Sequence, residues 1–92
     1  MRLFHLTTRS AWDAARAAGD YRSDGPFIHL SLARQWPIVR ERFYATTPEL
    51  VLLIIDPARL TSEVRFEAAD GDEFPHLYGP LDLDAVVEVR SL

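Results

Sequence analysis

The chain contains no cysteine and no lysine. Without thiols it can form neither a disulfide nor a thiolate nucleophile, and cysteine-based zinc sites are closed to it. A long apolar run is missing too: the longest, LVLLII from Leu50 to Ile55, falls far short of the roughly 20 residues that cross a bilayer. The opening MRLFHLTTRS has no apolar core of the kind signal peptides carry, so a cytoplasmic protein without a membrane partner is expected.

Positive charge is also scarce, with 14 acidic residues against 10 arginines and a net charge of −4. Phosphate backbones are gripped by clustered positive charge, so nucleic acid is not an expected partner. The one gathering, Arg34, Arg40 and Arg42, reads as a solvated helix face. Neither GxGxxG nor GxxxxGK[ST] occurs, which argues against a doubly wound nucleotide fold. Close histidine pairs such as HxH or HxxxH are absent, and no GxSxG elbow presents a serine.

What remains is enough for one domain spanning residues 1–92. Hydrophobic residues make up 48% and charged residues 26%, proportions that place the chain among ordinary globular proteins rather than disordered ones. LFHLT alternates as a strand, with His5 and Thr7 on one face and Phe4 and Leu6 on the other. Ser10 is placed to cap a short helix through AWDAARAA, which Gly19 ends. DYRSDGP is a loop leading into a second strand, Phe27 to Leu30. Trp36, Val39 and Phe43 then recur at helical spacing between about Leu32 and Ala45, although Pro37 requires a kink or a start nearer Arg34. LVLLIID is apolar on both faces and predicts a central strand, and EVRFEA a strand wet on one side. ADGDE is a turn, FPHLYGP an ordered loop or short strand, and AVVEV a closing strand. Early helices among dominant strands make this an α+β domain, a small split sheet with two helices.

The histidines are His5, His29 and His76, in FHLT, IHLS and PHLY. Strand periodicity puts His5 beside Thr7 and His29 beside Ser31, and neighbouring strands lie about 4.8 Å apart. If these two strands are neighbours, the four groups form one polar patch with the donors and acceptors to hold a ribose, an amide or a phosphate. The structural alternative is that each histidine is a core residue bonded to a nearby carbonyl. FPHLYGP adds His76 and Tyr78 on a backbone stiffened by prolines, a device that either binds ligand or packs on the core. The candidate ligand-binding residues are therefore His5, Thr7, His29, Ser31, His76 and Tyr78. A metal site built from the three histidines needs ligands converging from separate elements, and no metal is expected.

LFHLT, GPFIHLS, LVLLIIDPARL and FPHLYGPLDLDAVVEV together resemble, over nearly the whole chain, the bacterial family called domain of unknown function 952. That resemblance implies the ADP-ribosyltransferase fold, whose cleft binds NAD. LFHLT is similar to the first-strand motif in which a histidine holds the adenosine ribose; His5 falls on that histidine, with Leu6 where the motif has glycine. FIHLS resembles a strand of the RNA 2′-phosphotransferases at His29, Leu30 and Ser31, with Phe27 where those enzymes have a second histidine. Their arginine-rich lobe has no counterpart here, so RNA phosphate removal is not expected. Tyr78 and Gly79 stand where the third motif supplies a catalytic acid, and Glu67, Glu73 and Glu88 read as solvated. The expectation is a cleft for NAD or an ADP-ribose-like nucleotide, with ADP-ribosyl transfer or NAD cleavage as its chemistry. The alternatives are a non-enzymatic interaction module with structural histidines and a His-ligated metal hydrolase.

Overall fold

A computed structural model describes residues 1–92, in the order β1 (Leu3–Thr8), α1 (Arg9–Ala18), β2 (Ile28–His29), α2 (Trp36–Phe43), β3 (Leu50–Ile55), β4 (Glu63–Ala69), β5 (Asp72–Tyr78) and β6 (Val86–Ser91). The strands form two antiparallel three-stranded sheets, ordered β1-β3-β6 and β2-β5-β4. They meet at one bridge, where Phe4 and Ser31 exchange backbone hydrogen bonds of 2.9 and 2.8 Å. The domain is thus α+β with two helices and a split sheet.

All six residues of β3 are buried, because the strand is central and both its faces are covered. Val51, Leu53 and Ile55 enter the main core with Leu3, Trp12 and Ala15 from one side, and with Ile28 and Leu77 of the second sheet and Leu30 just beyond β2. Leu50, Leu52 and Ile54 face the other way with Leu6, against Phe4, Trp36, Val39 and Tyr44. Each such Leu or Ile contributes about 2 kcal/mol through removal from water, which fixes the strand's place.

Helix α1 starts earlier than Ser10 suggests. Thr8 is still extended, so its hydroxyl can accept from the Ala11 N–H at 3.2 Å, and Ser10 falls inside the first turn. Gly19, at φ 74, closes the helix through its N–H to the Ala15 carbonyl. Helix α2 is shorter than the span from Leu32 to Ala45: residues 32–35 form a turn, and Pro37 sits in the first helical turn, where its missing N–H costs nothing. Gln35, 2% exposed, anchors this start. Its carbonyl accepts from Leu32 N–H at 2.8 Å, and its amide donates to the Asp72 carboxylate at 3.1 Å and to the Glu73 carbonyl at 2.8 Å.

FPHLYGP resolves as most of β5, the middle strand of the second sheet. Asp70 and Gly71 both adopt positive φ, 51° and 79°, the combination a two-residue hairpin requires, and they pin Ala69 opposite Asp72. Pro75 is tolerated in a middle strand because its carbonyl, and hence the side lacking an N–H, faces Leu30 just beyond the two-residue β2.

Candidate functional site

The polar residues of LFHLT and FIHLS do not form one patch. β1 pairs with β3 and β2 with β5, so His5 and His29 belong to different sheets. His5 Nδ1 lies 2.6 Å from the His29 carbonyl, which can only accept, so Nδ1 carries the proton. Nε2 then accepts from the Tyr21 hydroxyl at 2.8 Å, and that hydroxyl also lies 3.0 Å from the Thr7 hydroxyl. Burial, reinforced by the charge of His29 and opposed by the carbonyl bond, lowers the His5 pKa from 6.5 to about 4. His5, Thr7 and Tyr21 therefore make a closed, neutral cluster that ties the loop after α1 to β1. Ser31 is buried at the bridge to Phe4.

Four further rings, those of Phe27, His29, His76 and Tyr78, come together on one face of the second sheet. Side chains alternate along β5, so Leu77 enters the core while Phe74, His76 and Tyr78 share the opposite face. His29 is directly opposite His76, with ring centroids 5.0 Å apart and nearly perpendicular. Phe27 lies flat on His76 at 3.9 Å and within 5.3 Å of Tyr78. From β4, Arg65 places its guanidinium 4.3 Å over the Tyr78 ring. Glu67 binds two of the group through one oxygen: His76 Nδ1 is 2.8 Å away, and the Tyr78 hydroxyl donates to the same atom. Those two donors, Tyr78 first, hold the Glu67 carboxyl below the usual carboxylate range, while Glu67 raises the Tyr78 phenol. His29 is exposed, and its pKa is lowered by partial burial and by His76 beside it.

His29 also forms the end of a groove between α2 and the β4–β5 hairpin. The groove has a volume of about 350 Å³ and is lined by His29, Val39, Phe43, Tyr44, Asp70 and Phe74. A second depression of about 220 Å³ shares Val39, Phe43, Asp70 and Phe74 and adds Ile38 and Arg42. Arg42 is exposed there and makes no ion pair, whereas Arg34 nearby is taken up by Asp72 at 2.6 Å. No group of three or more His, Asp or Glu side chains stands close enough to hold a metal ion, and both ring nitrogens of His5 are engaged elsewhere.

Of the six candidates, His29, His76 and Tyr78 are thus together, His5 and Thr7 form a separate cluster, and Ser31 is inside. Three residues were not marked by sequence reasoning. Glu67 reads as solvated in EVRFEA, but the hairpin sets β4 diagonally across from His76 and turns its carboxylate onto the ring. Tyr21 lies in a loop where nothing local marks it. Arg42 carries a signal only as part of an arginine gathering.

No helix is long and apolar enough to cross a membrane. The fold is shared with solved structures. The crystal structure of protein CC0527 from Caulobacter crescentus is 31% identical, with a TM-score of 0.91 over 100% of this chain and 86% of that one. The solution NMR structure of CC0527 is also 31% identical, with a TM-score of 0.86 over 99% and 84% of the two chains. No curated protein matches the chain. The family described as "Protein of unknown function (DUF952)" matches residues 6–89, and the chain belongs to that family.

Proposed function

We propose that the groove between α2 and the second sheet binds a nucleotide of the NAD or ADP-ribose class. The observation that carries this reading is the groove's make-up: aromatic walls from Phe43, Tyr44 and Phe74, one unpaired guanidinium at Arg42, and an imidazole at His29. A base stacks on aromatic walls, a phosphate pairs with a guanidinium, and ribose hydroxyls bond to an imidazole or to a carboxylate such as Asp70. The volume falls in the range of about 300–1,000 Å³ usual for small-molecule sites. The resemblance of FIHLS to a strand of the NAD-using RNA 2′-phosphotransferases supports the choice of ligand. His5, the residue the resemblance assigns to the ribose, has both ring nitrogens bonded internally, and His29 takes that place in the groove. Transfer or cleavage chemistry on the nucleotide draws on Glu67, His76 and Tyr78, the acid and base groups of the same face.

Calorimetric titration with ADP-ribose and NAD is the test. Saturable binding is expected, weakened about tenfold by Arg42→Ala, since a charge-assisted hydrogen bond to phosphate contributes about 1.5 kcal/mol or more. Absence of heat with both ligands at millimolar concentration overturns the reading. One observation favours a non-enzymatic interaction module instead: Ile38 and Phe43 on α2 are 60% and 58% exposed. On that reading His29→Ala alters no small-molecule affinity.

A further inference from the structure

Among the buried side-chain nitrogen and oxygen atoms of the protein, one has no hydrogen-bond partner: Nε2 of His76, in a residue only 4% exposed. Leaving such an atom unpaired costs about 1–3 kcal/mol, so its presence requires an explanation. Its chemistry follows from its neighbour. The Glu67 carboxylate can only accept, so Nδ1 of His76 carries the ring proton and Nε2 presents a bare lone pair. The same carboxylate is in place to balance the charge of an imidazolium. The Tyr78 hydroxyl on the shared Glu67 oxygen, and Arg65 over the Tyr78 ring, fix the carboxylate in turn.

Two rings pack against His76. Phe27 covers the flat face of His76, and His29 stands against it nearly at right angles. His29 belongs to the groove wall and is exposed, and its ring is held by packing rather than by hydrogen bonds.

We propose that His76, oriented by Glu67, is the proton-accepting residue of the groove: its Nε2 takes a hydrogen bond, and on reaction the proton, from a hydroxyl or amide N–H of the ligand once the His29 ring swings aside. The proton passes to Nε2, the electron pair stays on the ligand's oxygen or nitrogen, and the imidazolium is neutralised by Glu67. The ligand class rests on the nucleotide reading, whose ribose hydroxyls are donors of this kind.

Long-range ¹H–¹⁵N NMR of the wild-type protein at neutral pH should show His76 protonated on Nδ1 and bare on Nε2; a proton on Nε2 overturns the proposal. His29→Ala, checked for an unchanged fold by its amide spectrum, should raise the rate of His76 modification by diethyl pyrocarbonate about tenfold, equivalent to removing about 1.4 kcal/mol of protection. An unchanged rate means that His29 does not guard the nitrogen, and overturns it. Adding ADP-ribose to the wild type should then move the Nε2 resonance upfield together with the groove amides. Groove amides that shift while Nε2 stays still overturn this proposal and leave the nucleotide reading standing. No shift in either removes the nucleotide reading and, with it, the ligand named here.

Discussion

His5 ties stability to pH in a defined window. Its ordinary pKa of 6.5 falls to about 4 in the folded protein, so between these values the unfolded chain takes up a proton that the folded chain refuses. The stabilisation is complete above pH 6.5, declines as the pH falls towards 4, and is lost below that, an effect of about 3 kcal/mol at most. Urea unfolding at pH 7 and pH 4 should show this slope in the wild type, and His5→Asn should flatten it while lowering stability at pH 7. An unchanged slope in the variant would assign the acid sensitivity to other groups. Gly79 gives a second test on a single residue. It sits at φ 140, and a Cβ there would come within 2.5 Å of the Ser62 hydroxyl, which donates to the Pro80 carbonyl. Gly79→Ala should cost about 2 kcal/mol, combining backbone strain with displacement of that bond, as read by thermal unfolding.

Helix α2 and the β4–β5 hairpin are separate in sequence and are joined by one buried amide. Gln35→Ala leaves the Leu32 N–H and the Glu73 carbonyl without their partner and should cost about 2–3 kcal/mol. Because it unhooks one wall of the groove from the other, it should also weaken ligand binding, and retained affinity would mean the wall positions are fixed elsewhere. The packing of β3 is more strongly determined: Leu53→Ala should cost about 3 kcal/mol. That contrast explains what was legible beforehand. LVLLII could be recognised as a central strand because a run apolar on both faces has one stable location. The turn in ADGDE could be recognised because Asp-Gly favours positive φ. His29, His76 and Tyr78 stood out as polar residues in apolar strands. Glu67 did not, yet a signal existed: if FPHLY is a strand, a two-residue Asp-Gly turn pairs 69 with 72, and then Glu67 with Phe74 and Arg65 with His76. His5 was legible as polar, but its partners were not, since Tyr21 reaches it from a loop and the His29 carbonyl from the other sheet.

The molecule as a whole carries a net charge of −4, which repels an anionic ligand at long range. For the nucleotide proposed above, selection must therefore come from the groove itself, where the β4–β5 hairpin supplies one wall and α2 the second. Arg42 is the cation on that wall without an ion pair, and salt should weaken binding only modestly, as expected for one phosphate contact. The most direct measurement is a ¹⁵N-amide NMR titration with ADP-ribose. Saturable shifts should concentrate at His29, Val39, Phe43, Asp70 and Phe74, with little change at His5, Thr7 and Tyr21. An unperturbed spectrum at millimolar ligand, or shifts centred on the His5 cluster instead, would contradict the placement of a nucleotide site in this groove.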